Sequence, residues 1–207
     1  MFGASRRYGR CMPRIARRDS LPDGLAHVIS RGNRRTDLFL VERDYRFYLE
    51  LLDEALHRFG VHCHGYCLMP NHVHLLLDGP AEAVSKTMQR VNSRYAQWFN
   101  REYGYNGHVF QGRFLGVAIE LEPHLLELAR YIANNPVRAG LCETAADWPW
   151  SSFAAMLGRA PQQRAVTTRR LLEKFGRDGE TARRALTAFV AERVWKPPPR
   201  RTALRVG

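Results

Sequence analysis

No run of apolar residues in this chain approaches the roughly 18–20 that a membrane span requires. Leu75-Leu76-Leu77 forms the core of one of the longest. Cysteine is scarce: four in 207 residues, unevenly spaced, which does not make a disulfide framework. The N-terminal arginines have no apolar stretch behind them and so do not read as a secretory signal. Acids are missing altogether from residues 1–18, and no internal repeat is present. These absences lead to the expectation of a reduced, cytoplasmic protein that stays off membranes.

What is present is an ordinary globular composition, 45% hydrophobic and 25% charged, long enough for one domain with extensions. The formal net charge of +12 is unevenly placed. Residues 1–18 hold six arginines, and residues 159–207 hold 13 bases against 4 acids. The body between them carries 13 bases against 16 acids. Basic ends on a near-neutral body suit a polyanion, because each neutralised phosphate releases counterions. A solvated arginine-rich tail is the plainer alternative. The chain therefore divides into a basic arm (1–24), a body (25–158) and a basic helical extension with a tail (159–207). Met12 is a second candidate start.

Residues 26–30 read as a strand closed by the turn signal Arg31-Gly32-Asn33. Phe47, Leu51, Leu52, Ala55, Leu56 and Phe59 recur at helical spacing over 42–59, before Gly60. Residues 61–77 read as strand, interrupted at Pro70-Asn71, where a bend, bulge or edge is expected. A second helix is predicted over 81–101, extended chain over 108–120, and a third helix over 123–134 that stops before Pro136. Trp148-Pro149-Trp150 reads as a packed connector. Two short helices over 168–194, split at Gly176 or Gly179, precede Pro197-Pro198-Pro199. This order predicts an α+β fold, an antiparallel sheet with helices on one face.

His72-Val73-His74 is the sharpest chemical feature. Residues two apart on a strand share a face, so both imidazoles can bind one ion. Two ligands leave a divalent ion short, and Asn135, four residues after Tyr131 at the end of the third helix, can offer an amide oxygen. Tyr131 then projects beside it as a candidate nucleophile, provided something offsets deprotonation from a reference pKa of about 10. Equally, the spacing fits a half-buried helix tyrosine and a C-terminal cap. Tyr95 has Phe99 at the ligand offset, and Tyr103 and Tyr105 fall in a loop. A competing cluster, His62, Cys63, His64 and Cys67, lacks the second pair of a structural zinc site and reads as packing and surface residues.

The segment Leu68-Met69-Pro70-Asn71-His72-Val73-His74-Leu75-Leu76-Leu77, with 131–140 (Tyr131 to Gly140), closely resembles the REP-associated tyrosine transposases of the single-tyrosine HUH superfamily. Val28 to Arg34, Phe110 to Phe114, Asp147 to Ser152 and the stretch 175–190 match the same family in order, so the resemblance spans about 13–195. It implies a ferredoxin-like core in which His72, His74 and Asn135 hold Mg²⁺ or Mn²⁺. Tyr131 stands where the family attacks a DNA phosphodiester, keeping the 5′-phosphate and freeing a 3′-hydroxyl. The implied partner is single-stranded DNA folded into REP-type hairpins, handled in the nucleoid.

Arg31, Arg34, Arg35, Gln111 and Arg113 are the candidate DNA contacts, with Phe110 as a base-stacking platform. A catalytically silent hairpin-binding protein, a small zinc protein and a plasmid-relaxing nickase are the alternatives. The oligomeric state, monomer or homodimer, stays open.

Overall fold

In a computed structural model of the chain, residues 23–119, 122–161, 164, 166, 167, 169–176 and 178–192 are described. Nearly all of the basic arm expected over 1–24, with Met12, lies outside them, as does Pro197-Pro198-Pro199.

Four strands form one sheet: β1 (Gly24–Arg31), β2 (His62–Met69), β3 (His72–Gly79) and β4 (Leu115–Ala118). Their order is β2-β3-β1-β4 and every pairing is antiparallel. β1 and β2 both run against β3, which lies between them. The connection from β1 to β2 must therefore pass over β3, and α1 (Glu42–Phe59) makes that passage. α2 (Ala81–Tyr103) makes the matching passage from β3 to β4. This is the split βαβ arrangement of a ferredoxin-like fold.

Local chemistry sets the element ends. The Asp44 carboxylate accepts the backbone N–H groups of Leu40 (2.7 Å) and Val41 (3.0 Å) at the start of α1. Gly60, at φ +64°, turns the chain out of that helix in the left-handed region, where a side chain is strained. Pro70-Asn71 is neither a bulge nor an edge but a two-residue hairpin turn, with Met69 opposite His72. Its carbonyls are taken up by the segment after β1: Leu38 N–H bonds to Pro70 O at 2.7 Å and Gly32 N–H to Asn71 O at 2.9 Å. Of the extended chain expected over 108–120, only Leu115–Ala118 joins the sheet. The part before it is tied by Gln111 N–H to Arg31 O at 2.8 Å.

The period of two sorts each strand's residues to two faces. Val28, Val73, Leu75 and Leu77 meet α1 and α2, where Tyr48, Leu52, Met88 and Tyr95 complete the larger core. Phe110 belongs to this core: it is 9% exposed, with its ring 6.2 Å from that of Tyr95. It is therefore not free to stack on bases. The hydrophobic effect took it inward, because the chain after β1 and the 108–114 segment close over the end of α2.

The expected α+β antiparallel sheet is present, but helices cover both of its faces rather than one. α3 (Glu122–Ala133), the short turns α4 (Asn135–Arg138), α5 (Phe153–Met156) and α6 (Arg169–Leu172), and α7 (Gly179–Ala191) cover the opposite face. There Cys67, Met69 and Leu76 pack against Leu125, Ile132, Phe153, Leu186 and Val190. The outer edge of β2 is capped by the tryptophan connector, with Leu68 N–H on Trp150 O and Trp148 Nε1–H on Leu68 O, both 2.9 Å. Among the described residues, no helix is long and apolar enough to cross a membrane.

Leu75 sits fully buried in the middle of β3. Leu75→Ala is expected to lower the free energy of unfolding by about 2–5 kcal/mol, read from urea denaturation followed by circular dichroism.

Candidate active site

His72 and His74 open β3 on the face beneath α3, as their spacing predicts, with ring centroids 4.8 Å apart and planes nearly perpendicular. A third imidazole, His27, joins them from β1. It lies diagonally across the ladder, since Ile29 pairs with His74 and His27 with Leu76. The His27 and His74 rings meet edge to edge, with centroids 5.1 Å apart and 23° between their planes. Sequence reasoning missed His27, because A-H-V-I-S marks a strand but says nothing about which strand and register it will meet. The only available signal was a histidine inside a short strand otherwise suited to burial.

The hydrogen bonds define which ring edges are spent. Asn71 Nδ2 donates to Arg35 O at 3.2 Å, which turns its Oδ1 toward His72 Nδ1 at 2.6 Å. His72 Nδ1 must then carry the proton, leaving Nε2 a bare lone pair. His74 Nδ1 is 2.9 Å from His27 Nε2, while His74 Nε2 is buried with no hydrogen-bond partner. Asn135 Nδ2 is also buried and unpartnered.

Burial lowers the pKa of all three rings: His27 to about 4, His72 to about 4 and His74 well below its ordinary value. The Arg31 charge adds to the effect on His72, and a hydrogen bond with the Asn135 side chain opposes it. For His74, after burial, the neighbouring His27 and His72 contribute, then Arg31. The rings are therefore neutral at pH 7, the form that ligates metal without first losing a proton. Among the described residues no group of three or more His, Cys, Asp or Glu is arranged to hold a metal. Two imidazoles and an amide form a different donor set: the unpartnered His74 Nε2 suits a cation, and Asn135 suits one through its side-chain oxygen.

Tyr131 enters from α3, half-buried, with its ring edge-on to His74 at 5.6 Å and to His27 at 6.4 Å. The Arg138 guanidinium lies 5.0 Å from the tyrosine ring centroid. α3 ends at Ala133, earlier than expected, and a further turn then includes Asn135 itself. Pro136 is tolerated there because a missing N–H in a first turn has no partner to lose. Asn134 N–H to Arg130 O (3.0 Å) and Arg138 N–H to Asn134 O (2.9 Å) carry the helical path through the junction. Asn135 thus stays on the same side as Tyr131. The residues flanking Tyr131 along this helix are clamped to α7: Asn134 Nδ2 donates to Val190 O at 2.8 Å, and buried Arg130 lies 3.6 Å over the Phe189 ring.

Arg31 ends β1 directly opposite His72. Arg34 and Arg35 follow in an exposed turn with positive φ, 51° and 62°, a conformation side chains rarely adopt. Gly32 makes that turn possible, since a Cβ there would sit 2.1 Å from Thr36 O. Gln111 and Arg113 are exposed, and the Gln111 bond to Arg31 sets their segment beside the same strand end. Among the described residues, no ion pair occupies Arg31, Arg34, Arg35 or Arg113.

The competing cluster does not converge. His62 is exposed and Cys63 and Cys67 belong to opposite cores. His64 is spent on Thr167 O at 3.0 Å and Asp78 at 3.4 Å.

Residues 21–135 match the sequence profile of the family described as transposase IS200 like, a span from just before β1 to Asn135. The chain belongs to this family. A relative from Haemophilus influenzae, described as a REP-associated tyrosine transposase, is 28% identical over 135 residues, covering 56% of this chain and 76% of its own. Among solved structures, a REP-associated tyrosine transposase bound to a REP hairpin aligns with TM-score 0.58 and 20% identity, over 75% of this chain and 93% of that one. At that identity it establishes the shared fold of this IS200-like transposase. A transposase of Deinococcus radiodurans aligns more loosely, with TM-score 0.40 and 18% identity over 53% of this chain and 88% of its own.

The buried rings generate a pH prediction for the metal-free protein. Unfolded histidine takes up its proton near pH 6.5, whereas folded His27 and His72 do so near pH 4. Between these values the unfolded chain binds more protons, so stability falls as pH drops from about 6.5 to about 4. Urea midpoints measured in EDTA at pH 7.5, 5.5 and 4.5 are expected to decline in that order.

Proposed function

We propose that this IS200-like transposase is a metal-dependent enzyme that nicks and transfers single strands of hairpin-forming, REP-type DNA through a covalent 5′-phosphotyrosine on Tyr131. The observation that carries this reading is the convergence, on one sheet face, of two imidazoles with free ring nitrogens, the Asn135 amide and the Tyr131 ring. Exposed unpaired arginines border that convergence. In this reading residues 25–158 form the catalytic domain, with 1–24 as a basic arm and 159–207 as a basic helical extension. The protein works on DNA in the cytoplasm, at the nucleoid.

His72, His74 and Asn135 would hold Mg²⁺ or Mn²⁺, which when bound supplies a Lewis acid for the non-bridging phosphate oxygens. Tyr131 Oη attacks phosphorus and forms the new O–P bond, while the bond to the 3′-oxygen breaks and that oxygen takes up a proton. The number of phosphoester bonds is unchanged, so a 3′-hydroxyl can reverse the step without an energy source. The clamp of α3 on α7 holds the attacking oxygen in place, and such positioning supplies much of the acceleration in phosphoryl transfer. Arg138 sets a positive charge against the tyrosine ring, where the phosphate must approach. Arg31, Arg34, Arg35, Gln111 and Arg113 bind the DNA backbone beside the site. Arginine forks match phosphate oxygens in pairs, which suits a bent single strand.

Labelled single-stranded REP-type hairpin incubated with the protein and Mn²⁺ or Mg²⁺ is expected to yield a covalent protein–DNA band that EDTA prevents. Tyr131→Phe is expected to abolish that band while leaving hairpin binding intact. Binding without any band in the wild type would make the chain a silent hairpin-binding protein, and cutting by Tyr131→Phe would remove the tyrosine from its role.

Alanine at Arg34 or Arg35 is expected to weaken hairpin binding at every sequence alike and to reduce the salt-dependence slope by about 1 per residue. Filter binding across a salt series measures it.

A further inference from the structure

His27 has no counterpart in the metal-and-tyrosine reading of the site, yet it is 3% exposed and makes one directed contact, Nε2 to His74 Nδ1 at 2.9 Å. That contact admits two proton arrangements. With the proton on His74 Nε2, a buried N–H would face no acceptor, since Nε2 has no partner. With the proton on His74 Nδ1, the hydrogen has an acceptor in His27 Nε2 and the remaining lone pair points away from His27. The second arrangement puts the His27 proton on its Nδ1, which is not among the buried unpartnered atoms; orphaned buried N–H groups are rare in folded proteins, so this arrangement is selected.

The same device already serves the other motif histidine. Asn71, oriented by its own bond to Arg35 O, accepts from His72 Nδ1 and leaves His72 Nε2 bare. Each imidazole thus has an acceptor behind it and a free nitrogen in front. For His72 the acceptor comes from the adjacent residue. For His74 it comes from another strand, 47 residues away, delivered by the β1–β3 register. The two rings meet edge to edge with only 23° between their planes, which aligns the N–H of one with the in-plane lone pair of the other.

We infer that His27 is a positioning residue that holds His74 in the Nδ1–H tautomer and fixes its Nε2 lone pair toward the ion shared with His72 and Asn135. The inference rests on the reading of His72 and His74 as metal ligands. Supporting groups of this kind orient a ligand ring and raise its basicity, and their loss typically costs 10–100-fold in metal affinity.

The test uses the full chain and three variants: His27→Phe, which fills the space without an acceptor, His27→Gln, whose Oε1 can accept at the place of Nε2, and His74→Ala. Long-range ¹H–¹⁵N NMR of the metal-free protein reports the His74 tautomer, and Mn²⁺ titration followed by electron paramagnetic resonance reports affinity. The wild type is expected to show His74 protonated at Nδ1, with His27→Gln keeping that tautomer. His27→Phe should show mixed tautomers and about 10–100-fold weaker Mn²⁺ binding, while His27→Gln stays within about threefold of wild type. A wild-type His74 protonated at Nε2 would overturn the inference, as would wild-type Mn²⁺ affinity in a folded His27→Phe. If His27→Phe fails to fold, the wild-type tautomer and the His27→Gln affinity still decide. Failure of the metal reading looks different: His74→Ala would then bind Mn²⁺ as well as wild type, whatever the tautomer shows.

Discussion

The register of β1 on β3 is the constraint on which the site depends. Ile29 opposite His74 and Arg31 opposite His72 place His27, His72, His74 and Arg31 on one face of the sheet. Val28, Val73, Leu75 and Leu77 go to the other. A slip of one residue would exchange the two sets, burying charge in the larger core and exposing its apolar residues. The packed core of α1, α2 and the sheet therefore holds a handful of imidazole contacts in place. The hairpin at Pro70-Asn71 sharpens the setting. Its carbonyls anchor the chain after β1, and its asparagine orients His72.

A polar set on a buried face is costly unless something covers and uses it. The second helical layer covers it. α3 brings Tyr131 over the histidines and the α4 turn brings Asn135, while α7 holds this path through Asn134 and Arg130, which flank Tyr131. α7 is thus packed directly on the helix that carries Tyr131. The helical path continued from α3 into α4 brings Asn135 to His72, while Pro136 sits in the first turn of α4.

Much of this was legible beforehand. Helical spacing marked α1, α2 and α3 to within a few residues, the apolar run through 77 marked β3, and the two-residue spacing of His72 and His74 put both on one side. The spacing of Tyr131 and Asn135 put them on one helix face. One feature was left open and two were read differently. Pro70-Asn71 became a tight turn because two strands of equal length needed the shortest connection. Phe110 went into the core, because nothing local distinguishes an aromatic platform from a core aromatic. The helices over 123–134 and 168–194 were expected, but on the same face as α1 and α2, because helical spacing does not say which side of a sheet a helix will cover.

The sequence by itself determined the element types, the antiparallel plan and the identity of the local pair His72 and His74, since these follow from periodicities of two and 3.6 that need no partner. Only the tertiary structure decided that His27 meets His74, that Asn71 faces His72, and that α7 clamps the tyrosine helix. Each of these joins residues distant in sequence or sets a side-chain orientation. Such contacts depend on register and packing, which are settled by the summed burial of both cores rather than by any one segment.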